Sequence, residues 1–191
     1  MGRPREFDDA AVVDAAMDLF WSKGYETTST EDLCAHTGLG RGSLYNAYGS
    51  KRGLYERVLL RYAELGFAEQ EALLDRPGPV KERLRALLMA AVECDLGDPR
   101  RRGCLAVNAA VDVGGKDDVV AHHVRQQFDR LEAAVCRLVA AGQRLGELVA
   151  GDPLVAARSL LGTLYGLRVL GKVTRDRQAL VDVVEGALVR L

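Results

Sequence analysis

Apolar residues recur at every third or fourth position along almost the whole 191-residue chain, and this period limits its possible folds more than any other feature. Side chains three and four apart share one face of a helix, whereas a half-buried strand needs strict alternation, and no alternating segment is present. Leu54, Val58, Tyr62 and Leu65 form one stripe. Val80, Leu84, Leu87, Leu88, Ala91 and Val92 form a second, and Val124, Phe128, Leu131, Val135 and Leu138 a third. The pattern predicts an all-α fold of about nine helices, without internal repeats or low-complexity segments.

The breaks between stripes carry their own chemistry. Asp8 is a good N-cap for a first helix running through Val12, Ala16, Leu19 and Phe20, which Lys23-Gly24 ends. Thr28 opens "TSTE", read as a capping box with Glu31 at the third helical position. That second helix carries Leu33 and stops at Gly38. A third runs from about Arg41 to Tyr48, and a long fourth starts near Ser50 and ends near "RPGP" at 76–79. The fifth closes at "GDP", 97–99. "GCLAVNAAVDV" is apolar nearly all round and reads as a buried sixth helix, ended by Gly114-Gly115. The seventh stripe follows. A second "GDP" supplies Asp152 as cap and Pro153 in the first turn of an eighth helix reaching about Lys172, and a ninth fills Arg177 to Leu191. Residues 1–50 thus form a small three-helix unit and 51–191 a larger helical body, with 51–75 as the connecting fourth helix.

Bulk properties exclude several classes. Net charge is -1, so any affinity for nucleic acid has to come from a local patch. No apolar run approaches the roughly 18 residues of a membrane span, and no membrane partner is expected. "MGRPREFDDA" has no apolar signal core, and the position where a myristoylation site needs Ser or Thr is Glu6. Cys34, Cys94, Cys104 and Cys136 are dispersed, and with His36, His122 and His123 they give no metal-ligand spacing. Reduced thiols, a cytoplasmic location, no metal and no cofactor are expected. His122 and His123 are adjacent, point apart on a helix, and read as solvated surface.

"TGLGRGSLYNAYGSK", Thr37 to Lys51, has glycines at 38, 40 and 42. A dinucleotide loop needs G-x-G-x-x-G after a strand, and here the third glycine comes one residue early, after a helix. A Walker loop is absent, as are a nucleophile elbow and H-E-x-x-H, so an enzyme is not expected. Helix, tight turn and helix remain, with Leu33, Leu39 and Leu44 as core. A helix-turn-helix meets the phosphates of DNA, its second helix in the major groove. From Gly40 to Arg61 there are five cations (Arg41, Lys51, Arg52, Arg57, Arg61) and one acid (Glu56), a local balance of +4. Arg3 and Arg5 add a basic arm.

"GYETTSTEDLCAHTGLGRGSLYNAYGSKRGLY", Gly24 to Tyr55, resembles the DNA-binding domain of the TetR family of bacterial transcriptional regulators. The likeness is strong over about the first 60 residues; beyond them "GCLAVNAAVDVG" looks like the sixth helix of a subset of that family. It implies a repressor that binds a palindromic double-stranded operator as a homodimer and is released by a small molecule. Arg41 is then placed for a guanine edge or a phosphate, and Asn46 for adenine or, preferably, phosphate. Gly42 allows close approach; Ser43, Tyr45 and Tyr48 bring hydroxyls to the backbone, Tyr48 alternatively being core. Thr28 caps its helix and touches phosphate, and Lys51 matches a phosphate contact. Gly40 departs from the serine many members carry there.

The same resemblance places dimerisation on the last two helices. "SLLGTLYGLRVLG" carries Gly162 and Gly166 a turn apart, with Leu160, Leu164 and Leu167 around them; Val184 and Leu188 join them from the ninth helix. Glycine in a helix costs about 0.5–1 kcal/mol relative to alanine, which asks for a packing reason, between subunits or within one. A ligand pocket is expected among helices four to eight. Candidates are Phe67, Met89, Phe128 and Tyr165, each otherwise ordinary core, and Asn108, which either orients a ligand or satisfies nearby backbone. Cys104 follows "RRRG" at a helix start, a setting that suits a reactive thiol, or it is a small buried residue. The rival readings are a thiol or electrophile sensor through Cys104, and a helical ligand carrier with no DNA function.

Overall fold

A computed structural model describes residues 7–191, which form nine helices and no strand. They are α1 (Asp9–Lys23), α2 (Thr30–Thr37), α3 (Arg41–Tyr48), α4 (Lys51–Leu74), α5 (Val80–Gly97), α6 (Leu105–Asp112), α7 (Asp118–Arg144), α8 (Pro153–Val173) and α9 (Arg177–Leu188). Arg3 and Arg5 lie outside the described residues.

Short polar side chains start most of these helices by accepting the free N–H groups of the first turn. Asp8 accepts from Ala10 and Ala11, Ser50 from Gly53, Asp117 from Val119 and Val120, Asp152 from Leu154, and Asp176 from Ala179. Left-handed glycines close α1 and α2, Gly24 at φ 87° and Gly38 at φ 73°. The capping box of α2 sits one residue later than "TSTE" suggests. Ser29 is the cap and Asp32, not Glu31, returns the bond to the Ser29 N–H at 2.8 Å.

Two hydrophobic cores follow. In one, Val13, Ala16 and Phe20 of α1, Leu33 and Leu44 meet Leu54, Tyr55, Val58 and Leu59 on the first half of α4, and Leu105, Val120 and Val124 extend this core into α6 and α7. The other joins Leu74, α5, the second half of α7, α8 and α9 around Leu84, Leu88, Val135 and Leu160. Helices α4 and α7 therefore belong to both. Two expectations change here. Helix α6 is not buried all round, because Val111 is 76% exposed. Helix α8 is long and apolar enough to cross a membrane by length and composition, yet here it packs among α5, α7 and α9.

Candidate nucleic-acid interface and ligand cavity

The turn between α2 and α3 is built from Gly38, half-buried Leu39 and Gly40, which leaves Leu33 and Leu44 fully buried and the outer face of α3 open. Arg41, Gly42, Ser43, Tyr45 and Asn46 are exposed on that face. The Arg41 guanidinium lies 5.9 Å from the Tyr45 ring centre. The Tyr45 hydroxyl meets Thr30 Oγ1 at 3.4 Å, and hydrogen bonding to Thr30 and then Arg41 holds it below the usual tyrosine range. The first turn of α2 thus stands beside α3. Thr30 was not singled out from the sequence, and no spacing rule would have found it.

Three of the residues expected to touch DNA have polar partners within the chain itself. Thr28 is 1% exposed and donates its hydroxyl to the Gly24 carbonyl at 2.6 Å, so it is a structural residue and not the cap. The Tyr48 hydroxyl donates to Asp9 Oδ1 at 2.9 Å and thereby joins α3 to α1. Lys51 Nζ donates to the Tyr25 and Thr28 carbonyls at 2.8 and 2.9 Å and sits 4.3 Å from the Tyr25 ring centre, fastening the entry of α2 to α4. The local balance of +4 is also met in three dimensions. Arg52 pairs with Glu56 and Asp117, Arg57 with Asp9 at 3.3 Å, and Arg61 with Asp14 at 3.2 Å. Arg41 is the cation of this segment that remains on the open face.

In the body, a cavity of about 340 Å³ lies between α1, α4, α5, α7 and α8. Its walls are largely apolar, with Trp21, Tyr62, Phe128 and Tyr165 supplying rings. Phe128 stacks on Tyr165 at 4.2 Å and Trp21 meets Tyr62 edge-on at 5.1 Å. Burial pushes both tyrosine hydroxyls above their usual range, so each stays neutral. At one side Arg168 pairs with Asp95 at 3.0 Å and donates to the Ala91 and Gly103 carbonyls. Cys104, Phe128 and Tyr165 were expected in the pocket and line it. Phe67, Met89 and Asn108 do not. Phe67 is buried beneath Arg130, Met89 borders another hollow, and Asn108 bonds Lys172 and the Arg102 carbonyl. Trp21, Tyr62 and Arg168 were missed: Trp21 belongs to the first helix, Tyr62 reads as a plain stripe residue, and a lone arginine among the leucines of the eighth helix gives no pocket signal.

The expected dimer residues divide cleanly. Leu160, Leu164, Leu167, Val184 and Leu188 are each at most 4% exposed inside the chain's own core, and Leu164 lines the cavity, so none faces outward. Gly162 and Gly166 lie on the opposite, exposed face of α8, beside Val155, Val169 and Val173, and exposed Val183 and Gly186 lie on α9.

Residues 12–58 match the model of the bacterial regulatory proteins of the tetR family, and residues 80–187 match that of the tetracyclin repressor-like C-terminal domain. The chain belongs to the tetR family. An uncharacterized HTH-type transcriptional regulator of Bacillus subtilis (strain 168), YezE, is 36% identical over 191 residues, 98% of each chain. The HTH-type transcriptional repressor ComR of Escherichia coli (strain K12) is 31% identical over 148 residues, 77% of this chain and 70% of ComR. Among solved structures, a cysteine mutant of the TetR family regulator CifR, complexed with 26-base-pair operator DNA, superposes with a TM-score of 0.86 at 31% identity over 98% of both chains. This tetR-family chain is therefore a DNA-binding transcriptional regulator with the all-α architecture of its relatives.

Proposed function

We propose that the chain represses transcription by gripping a palindromic operator as a homodimer, and that a small molecule filling the α1–α4–α5–α7–α8 cavity releases it. One observation carries the reading: the outer face of α3 is exposed and polar, and Ser43 and Asn46 make no side-chain hydrogen bond among the described residues. Arg41 forks onto a base edge or phosphate in the major groove. Ser43, Tyr45 and Asn46 hold the backbone, and Ser29, Thr30 and the first N–H groups of α2 take the neighbouring phosphate. Lys51 acts by fixing that turn. Residues 1–50 are the reader and 51–191 the sensing and pairing body, working in the cytoplasm. Two readers spaced by about 34–36 Å reach successive turns of one DNA face. The pairing surface is the exposed small-residue face of α8 and α9, where Gly162, Gly166 and Gly186 let helices approach.

Fluorescence anisotropy on a duplex selected by the protein from genomic fragments, against a shuffled duplex at two salt concentrations, tests this. Specific binding about 10³–10⁷ tighter than non-specific binding is expected, with Arg41→Ala costing about 1–3 kcal/mol and relaxing sequence preference. Equal weak binding to both duplexes would instead favour a ligand carrier.

A second reading, sensing through Cys104, is favoured by the place of its thiol in the cavity wall, where the Tyr62 hydroxyl donates to Sγ at 3.4 Å. Mild oxidation would then release DNA from the wild type and spare Cys104→Ser; equal release from both would rule it out.

A further inference from the structure

The cavity and the reader share a wall. Met17 and Trp21 belong to α1, yet both line the cavity, and Trp21 also borders a second hollow formed by the 97–103 segment. Three contacts hold Trp21 there. Its Nε1–H donates to the Gly103 carbonyl at 3.1 Å, the Arg102 guanidinium lies 4.3 Å from its ring centre, and Tyr62 meets it edge-on. The same Gly103 carbonyl accepts from Arg168 Nη2 at 3.0 Å. One turn earlier on α1, Asp18 accepts from Arg100 at 2.6 and 2.9 Å and from Arg102 at 2.9 Å. The Arg100 hydrogen bond holds the Asp18 carboxyl below its usual range. Gly103 is at φ 69°, and a Cβ there would lie 2.7 Å from the Lys172 side chain, so glycine alone brings this carbonyl between Trp21 and Arg168. One carbonyl thus joins the reader's first helix to the base of the cavity.

The lining also selects chemistry. The guanidinium of Arg168 is committed to Asp95, Ala91 and Gly103, so an anion finds no spare cation. The one other charged side chain in the lining is Glu69, which is exposed at the rim, so a cation would leave water without a buried counter-charge. Four aromatic rings from four helices suit flat apolar surface. The Tyr165 hydroxyl, buried without a partner, is left for one polar group. We propose that the cavity binds an uncharged, mainly apolar molecule of about two fused rings with one hydrogen-bonding group, and that Trp21 passes its arrival to the reader by loosening α1 from the 98–104 segment. The proposal rests on the ligand-release reading above and names its ligand class and route.

Trp21 is the only tryptophan in the chain, so its emission reports the site directly. The full chain is titrated by calorimetry and fluorescence with 1-naphthol, 1-naphthalenesulfonate and N-methylquinolinium, and each probe is then added to the DNA anisotropy assay. 1-Naphthol is expected to bind and change Trp21 emission saturably, with the two ions at least tenfold weaker, and to weaken DNA binding at least tenfold. Asp18→Asn, which lies outside the cavity lining, is expected to bind 1-naphthol by calorimetry. At 1-naphthol concentrations that calorimetry shows to saturate each protein, the DNA affinity of Asp18→Asn and of Trp21→Phe, which lacks the N–H donor, is expected to respond at least threefold less. No binding of 1-naphthol, or an ion binding as tightly, would overturn the ligand class. Equal DNA response in wild type and both variants would overturn the route. Binding of 1-naphthol with no loss of DNA affinity in the wild type would overturn the route and the release reading together, leaving the ligand class standing.

Discussion

Gly53 sets the angle between the recognition helix and α4. A Cβ built on it would lie 2.1 Å from the Tyr48 carbonyl oxygen, a backbone atom that cannot turn aside. Glycine inside a helix ordinarily loses about 0.5–1 kcal/mol against alanine, so Gly53→Ala would stabilise a free helix. Here the sign inverts, and urea unfolding should show a loss of about 1–3 kcal/mol from overpacking; a gain would mean that the turn relaxes freely. Ser29 gives a second test at this scale. As cap of α2 it accepts from the Asp32 N–H at 3.1 Å, while Thr28, the residue the motif pointed to, is spent on the Gly24 carbonyl. Ser29→Ala is expected to cost about 0.5–2 kcal/mol of thermal stability, and an unchanged midpoint would remove it from that role. Both residues illustrate what sequence can and cannot resolve. Ser and Thr three residues before an acid mark a helix start, but two such pairs, Thr28–Glu31 and Ser29–Asp32, overlap in "TTSTED", and only backbone geometry chooses between them. A glycine required by a neighbouring carbonyl leaves no local mark at all.

At the scale of elements, helix boundaries were legible because glycine, proline and short acids act on their own local backbone. Gly24, Gly38, Asp152 and Pro153 do so independently of the rest of the fold. Which face of an element turns outward was less legible. In α8 the leucines and the glycines both follow helical spacing, so a single stripe appeared to hold them; in space they occupy opposite faces, Leu160, Leu164 and Leu167 inward and Gly162 and Gly166 outward. A Cβ at either glycine meets nothing within 4 Å, so the chain itself supplies no reason for their small size. A second copy would. Gly166→Leu should therefore leave unfolding of the monomer unchanged or raise its stability by up to about 1 kcal/mol, while sedimentation equilibrium shows the dimer weakened at least tenfold. A dimer of undiminished strength would move the interface elsewhere. The same outward turn explains why the basic segment after Gly40 overstated its reach: Arg52, Arg57 and Arg61 point back toward Asp117, Asp9 and Asp14 of other helices.

At the scale of the whole molecule, the cavity was the least legible part, because its wall is assembled from five helices spread across most of the chain and no spacing rule relates Trp21 to Arg168. The same distance in sequence hides Asp95. It packs against Gly171, whose missing side chain makes room for the carboxyl, and it is 3% exposed with Oδ1 on Arg168 and Oδ2 without a partner. Burial pushes it from an ordinary 3.8 up to about 6, and the attraction of Arg168 only partly offsets this. A carboxyl that holds its proton more tightly folded than unfolded stabilises the fold fully below pH 3.8, and that contribution is lost as pH rises through about 6. Asp95→Asn removes the titration and leaves Arg168 charged at every pH, so the variant carries a constant offset. Between pH 4.5 and 7 the wild type should accordingly lose about 2 kcal/mol relative to the variant. Asp18 and Asp98, whose carboxyls are both held below their usual range, are common to both proteins and cancel in the difference. Paired urea titrations across that range decide the matter. A difference that stays flat with pH would mean that the folded Asp95 is already ionised and that its bond to Arg168 outweighs burial. A difference rising toward neutral pH would locate in one carboxyl beside the cavity a strain that the fold accepts at the site where it is proposed to respond to a ligand.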